Sequence, residues 1–290
     1  RCMAWFPLAL LSAFAIATAD ALTKRHFSNA DPWEATCARF VWSGVLMLPW
    51  AWLQWQAPSS PWFWPWLIAL LPLDLLAVWL YVRAITSAPL SHTLPYLSFS
   101  PVFSLGVGWL LLGERPGPAG AAGVALITAG AYLLNGATLS RDGWLSPFRA
   151  MVSERGPRLM LLVALIFSVT AVLGKGAVRY MPGAAFAGFY GVALALVTGG
   201  AMLAARRSPL AVLRRRPVGT LAVAAGMATM VVSHFLAIEQ VAAAYMIAVK
   251  RTSMLFGLLY GAWWFRELDL GRNLAAALLM LGGVALILLP

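Results

Sequence analysis

Charge is what this 290-residue chain has least of. Asp, Glu, Lys and Arg make up 11% of it, and ten of those residues are acidic, whereas an ordinary soluble domain carries roughly 25% charged residues. With 61% hydrophobic residues and a mean hydropathy of +0.80, too little polar surface exists to cover a fold in water. Cysteine is just as scarce. Cys2 and Cys37 provide neither a disulfide framework nor a metal-ligand spacing. His26, His92 and His234 are scattered singly, so no metal and no cofactor is expected. No cluster of His, Asp or Glu accompanies a nucleophile motif, which counts against an integral-membrane enzyme. A net charge of +11 would point to nucleic acid in a soluble protein. Here the arginines sit in short loops between apolar runs, so they read as topology signals and no nucleic-acid partner is expected.

What the chain does have is apolar length. Ten segments are long enough to cross about 30 Å of hydrocarbon as helices of roughly 20 residues. They run from Ala4 to Thr23, Pro32 to Trp55, Pro65 to Thr86, Leu90 to Leu112, Pro116 to Gly136, Arg158 to Val178, Pro182 to Ala205, Pro217 to Ile238, Val241 to Phe265 and Leu268 to Leu289. The first, with Arg1 before it and Ala17-Thr18-Ala19 near its end, has the outline of a cleavable signal peptide. Its match to the sixth segment argues for a retained helix. The predicted fold class is an all-α polytopic membrane protein. Trp50, Trp52, Trp55, Trp62, Trp64 and Trp66 predict an aromatic belt between the second and third spans.

The pattern is written twice. At an offset of 153, Tyr81 falls on His234, Phe103 on Phe256, Gly108 on Gly261, Glu114 on Glu267 and Gly130 on Gly283. Near the start of each half the offset is 151, so that Ala13 matches Ala164 and Lys24 matches Lys175. This divides the chain into repeats at 1–140 and 158–290. Five helices per repeat is an odd number, so the second copy enters the bilayer in the opposite sense. That is the inverted-repeat design of secondary transporters, with a substrate site near the midplane.

Orientation follows the basic residues. Fourteen Lys and Arg residues fall on the side of the odd-numbered loops and four on the other. The positive-inside rule makes the odd loops cytoplasmic and both termini non-cytoplasmic.

The motifs Leu111-Leu112-Gly113-Glu114 and Phe265-Arg266-Glu267, each followed by a Gly-rich helix, stand with Pro101 in the fourth span and Lys250-Arg251-Thr252-Ser253 in the ninth. Together with the duplicated ten-helix layout they resemble the drug/metabolite transporter superfamily in its EamA-type branch. The resemblance implies secondary transport of small metabolites, in an inner (plasma) membrane, with no ATP site and no prosthetic group. Several relatives have cytoplasmic termini, and the charge bias here points the other way.

Within this frame the intramembrane charges are the candidate functional groups. Lys250 lies about nine residues into the ninth span, roughly 14 Å along its axis, where the first repeat has Leu97; Arg251 stands where it has Ser98. Lys250 has the stronger claim on an anionic substrate group. Arg251, pointing about 100° away, has the stronger claim to an ion pair with a carboxylate such as Glu239 or Asp74. The pair is similar to the Lys-Arg pair of phosphate-handling members of the superfamily. Tyr245, Tyr96, Tyr81 and His234 are candidate cavity walls. Asp74, alone in an apolar stretch, Glu239 and Asp20 are candidate coupling or charge-balancing groups, with Asp20 one turn from Lys24. Two helix-end pairs, Lys24 with Glu267 and Lys175 with Glu114, are expected to meet, either as interfacial structure or as gates. The expected partners are a small polar metabolite, with an anionic group, and the lipid bilayer. A passive facilitator or channel has the same sequence signature as a coupled carrier.

Overall fold

In hydrocarbon a backbone must satisfy its own N–H and C=O groups, so apolar runs of this length become helices. The computed structural model describes residues 4–87, 95–135, 154–264 and 270–289, and every element within them is helical. The chain begins with α1 (Trp5–Phe27), α2 (Pro32–Thr36), a π-helical segment at Cys37–Trp42, α3 (Ser43–Leu46) and α4 (Leu48–Leu53). Next come α5 (Phe63–Ser87), α6 (Ser100–Leu112) and α7 (Pro118–Asn135). The remainder holds α8 (Arg155–Ala177), α9 (Gly183–Ala204), the short α10 (Pro209–Arg215), α11 (Pro217–Ile238), α12 (Ala243–Lys250), α13 (Ser253–Trp264) and α14 (Leu270–Leu288).

Among the described residues six helices are long and apolar enough to cross a membrane: Trp5–Phe27, Phe63–Tyr81, Pro95–Leu112, Arg155–Ala177, Gly183–Ala204 and Pro217–Ile238. Pro118–Leu134 and Leu274–Leu288 are shorter apolar helices. The sequence pattern predicts ten spans; Pro32 to Trp55 and Val241 to Phe265 are helical in pieces, as is the described part of Leu90 to Leu112. The first of these widens into the π segment, where the Ser43 hydroxyl donates to the carbonyls of Arg39 and Phe40. Pro49 then restarts the helix at α4. The second is interrupted between α12 and α13 at Arg251 and Thr252.

The helices form two compact units, each drawing on both halves of the sequence. One comprises Arg1–Phe63, Val178–Gln240 and Leu255–Leu268; the other comprises Trp64–Ala177, Val241–Met254 and Asp269–Pro290. In the first unit α1 packs along α11, and α9 packs on the π segment, α3 and α4. Ala9, Ala13, Ala15, Ala17 and Ala19 give α1 a buried face of minimal side chains. Close approach of this kind replaces the hydrophobic drive that lipid does not supply.

The second unit is built the same way. α7 lies along α14, and their glycines oppose each other: a Cβ at Gly123 would stand 2.5 Å from the Gly283 oxygen, and one at Gly283 would stand 2.6 Å from the Gly123 oxygen. Its core gathers Ala77, Leu80, Ala84, Tyr96, Met160, Val163 and Ile166.

The expected tryptophan belt divides. Trp52, Trp55, Trp62 and Trp64 are exposed. Trp50 turns inward and donates its indole N–H to the Ala184 carbonyl at 2.9 Å, and the Trp66 ring lies over Gly176.

Candidate functional site

The second unit contains two interrupted helices side by side. Pro95–Leu97 are helical, Ser98 and Phe99 form a turn, and α6 resumes at Ser100 with Pro101 in its first turn. There the bonds tighten to three-residue spacing, Ser98 N–H to Pro95 O and Phe99 N–H to Tyr96 O. Beside it, α12 ends at Lys250, and Arg251 and Thr252 form a turn with the same tightening: Arg251 N–H to Ala248 O and Thr252 N–H to Val249 O. The Thr252 hydroxyl also donates to Val249 O at 2.7 Å. Added to Ser98 and Phe99, the offset of 153 gives Arg251 and Thr252, so the two turns occupy matching places in the sequence repeat. Interrupted helices free backbone groups at membrane depth, and such groups are stable only where protein or water meets them.

Ser100 is the node between the two turns. Its hydroxyl oxygen accepts from Nε of Arg251 at 3.1 Å and from Nη2 as well. Its carbonyl accepts from the hydroxyls of Ser104 at 2.9 Å and Ser168 at 2.8 Å. Where a carboxylate was expected beside Arg251, a neutral hydroxyl stands. Among the described residues no carboxylate forms an ion pair with this guanidinium. Two of its N–H groups are engaged by Ser100, and the rest of the planar fork suits an oxyanion. The same unit holds three buried hydroxyls without hydrogen-bond partners among the described residues, at Ser98, Thr128 and Tyr132. Tyr132 lies edge-on to Phe99 at 5.6 Å, beside the turn of the interrupted helix. Buried hydroxyls left open are uncommon in a finished core, because each forgoes about 1–3 kcal/mol.

At one end of the same unit the carboxylate of Glu114 binds on two sides. Oε1 is ion-paired with Lys175 Nζ, and Oε2 accepts the Ala243 N–H at 3.0 Å. Lys175 also donates to the Val241 carbonyl. Glu114 therefore caps the N-terminus of α12, where a negative charge meets unsatisfied N–H groups and the positive end of the helix dipole. Tyr245, one turn into α12, lies against Gly120 of α7 so closely that a Cβ there would be 1.7 Å from the phenolic oxygen.

The remaining sequence candidates are distributed over both units. Lys250, half-buried at the last residue of α12, Arg251, Tyr245, Tyr96, Tyr81 and Asp74 belong to the second. Tyr96 is fully enclosed in its core with Tyr81 at the margin, and Asp74 is buried two residues beyond Pro72 of α5. His234, Glu239, Asp20 and Lys24 belong to the first. His234 is buried on α11. Glu239 Oε2 accepts the Gly183 N–H at 3.0 Å and so caps α9, much as Glu114 caps α12. Asp20 takes Arg39, presented by the π segment, as its partner. Glu267, the expected partner of Lys24, lies outside the described residues, as does His92.

Ser98, Ser100, Ser168, Thr128 and Tyr132 carry no sequence expectation, since one hydroxyl in an apolar run looks like packing. The signal that would have found Ser98 and Ser100 is Ser98-Phe99-Ser100-Pro101 lying opposite Arg251-Thr252-Ser253-Met254 at the repeat offset.

Comparison with known proteins fits this architecture. A solved crystal structure of a protein matches with a TM-score of 0.78, covering 98% of this chain and 98% of its own at 17% identity, a likeness of fold alone. No curated protein matches the chain. The sequence model of the EamA-like transporter family matches residues 3–136. Over those residues the chain is similar to the EamA-like transporter family, and its long apolar helices agree with a multi-pass integral membrane protein.

Proposed function

We propose that the protein is a secondary transporter of a small polar metabolite bearing an anionic group, working by alternating access between two inverted five-helix repeats. The repeats are 1–140 and 158–290, both termini face away from the cytoplasm, and the membrane is the inner (plasma) membrane. The observation that carries the anionic preference is Arg251: a half-buried guanidinium in the turn between α12 and α13, hydrogen-bonded to the neutral Ser100 hydroxyl. A cation at such depth needs an anion, carbonyls or water. Lys250, next to it, adds a second positive charge. The matching turns of the two interrupted helices support a substrate position there, because discontinuous helices in corresponding places of two repeats mark the binding site of many carriers.

Flux into proteoliposomes tests this, with anionic, cationic and zwitterionic metabolites offered to wild type, Arg251→Gln and Lys250→Ala. A hydrogen bond to a charged group contributes about 1.5–3 kcal/mol. Arg251→Gln is therefore expected to weaken uptake of the anionic class by about 10- to 100-fold at subsaturating substrate. Cation transport that survives Arg251→Gln unchanged, with no anion carried by wild type, overturns the proposal. Wild-type flux that is insensitive to imposed gradients identifies a passive facilitator instead.

A further inference from the structure

The segment joining α9 to α11 holds five arginines, Arg206, Arg207, Arg214, Arg215 and Arg216, in eleven residues. Both flanking helices are long and apolar enough to cross a bilayer, so the segment lies at the membrane surface. Three of its arginines are engaged. Arg207 pairs with Asp31 and lies over the Trp33 ring at 5.6 Å. Arg215 and Arg216 share Glu34 at 3.2 and 3.5 Å, and Arg216 also donates to the His26 carbonyl. Arg206 and Arg214 are exposed, and neither forms an ion pair among the described residues.

The platform under these two is fixed. α10 is anchored at its start, where the Pro209 carbonyl accepts the Trp42 indole N–H at 3.2 Å. It buries Val212 and turns Leu210 and Arg214, four residues apart on one helical face, outward. Arg206 ends α9 in a left-handed conformation, φ 56°. The Arg206 N–H bonds to Leu203 O and the Arg207 N–H to Met202 O, both at 2.9 Å, the pattern in which glycine is the usual residue. An arginine there strains the backbone, and its side chain forms no ion pair among the described residues. Leu203 near the end of α9, Leu210 on α10 and Val218 at the start of α11 are exposed, at 64%, 46% and 72%.

We infer that Arg206 and Arg214 form a headgroup site for an anionic phospholipid, with Leu203, Leu210 and Val218 set against its acyl region. Two exposed cations and three exposed aliphatic side chains on one short surface segment complement the phosphate and the chains of such a lipid.

Native mass spectrometry of the full chain, released from micelles containing equal phosphatidylglycerol and phosphatidylcholine, tests the site. Wild type is expected to retain phosphatidylglycerol preferentially, with the preference falling as ionic strength rises. Arg206→Gln with Arg214→Gln is expected to lower retention about 25-fold, at about fivefold for each arginine near the surface. Arg206→Gly separates binding from folding: it relieves the strained φ, so thermal stability holds or rises while phosphatidylglycerol retention falls about fivefold. Equal retention of the two lipids by wild type refutes the inference. So does full preference in the double variant, or a loss that follows Arg215→Gln instead.

Discussion

Replacing Lys175 by methionine separates bracing from gating at the Glu114 cluster. The wild-type carboxylate has one oxygen on Lys175 and the other on the Ala243 N–H, and the two side chains are 14% and 12% exposed. Lys175→Met keeps the side-chain length and leaves Glu114 with its backbone donor but no counter-ion. Breaking a buried pair on one side costs about 3–5 kcal/mol. The surviving N–H bond and the residual exposure place this one at the low end, about 3 kcal/mol. At about 2–4 °C per kcal/mol for a large domain, Tm falls by about 6–12 °C. Glu114→Gln in the Lys175→Met background removes the stranded charge and leaves a side-chain oxygen for Ala243, so it returns most of the loss. Thermal unfolding in detergent of the four proteins of this double-mutant cycle measures the coupling, expected at about 1.5 kcal/mol or more. A Tm unchanged in both single variants, with transport abolished in each and restored by a charge swap, would refute the bracing argument and make the pair a gate.

Three other perturbations address separate parts of the fold. Gly123→Val drives a branched side chain into the Gly283 backbone, 2.5 Å from where its Cβ would stand, and is expected to lower stability by about 1–3 kcal/mol; an unchanged Tm would mean that α7 and α14 separate freely. Ser100→Ala takes the described acceptor from Arg251 and is expected to cost about 1.5–3 kcal/mol, read as a Tm loss that an added anionic substrate partly reverses. Asp31 is held below the ordinary carboxylate value of 3.8, first by the Trp33 N–H and then by Arg207. A depressed folded value means that its stabilisation is present above about pH 4 and lost as pH falls through the lower, folded value. Asp31→Asn should therefore remove an acid-dependent part of unfolding below pH 4, and identical Tm against pH curves for the two proteins would exclude it.

Membrane character and helical class were legible because they are properties of composition and run length, which hydropathy reads directly. The meeting of Lys175 with Glu114 was legible because alternating antiparallel runs put the ends of the fourth and sixth on one side. The interruptions were not legible in the same way. A hydropathy window averages across Ser98-Phe99 and Arg251-Thr252 and sees only continuous apolar sequence. The partner of Arg251 is hidden for a related reason: a hydroxyl carries no charge signal, whereas a carboxylate does. Glu114 and Glu239 read as charges in search of cations, while what they also meet is the backbone N–H of a helix start that is distant in sequence.

The pairing of α1 with α11, and of α7 with α14, has a consequence for how the protein is made. Each partner of α1 and α7 is encoded more than 130 residues later, so the alanine face of α1 and the glycine face of α7 emerge from the ribosome long before anything can close over them. Within lipid these faces carry no charge and little bulk, and they can wait in the bilayer as separate helices that assemble once the later ones insert. A ribosome stalled at the midpoint would leave two half-built bundles in the membrane, neither able to finish without the other end of the same message.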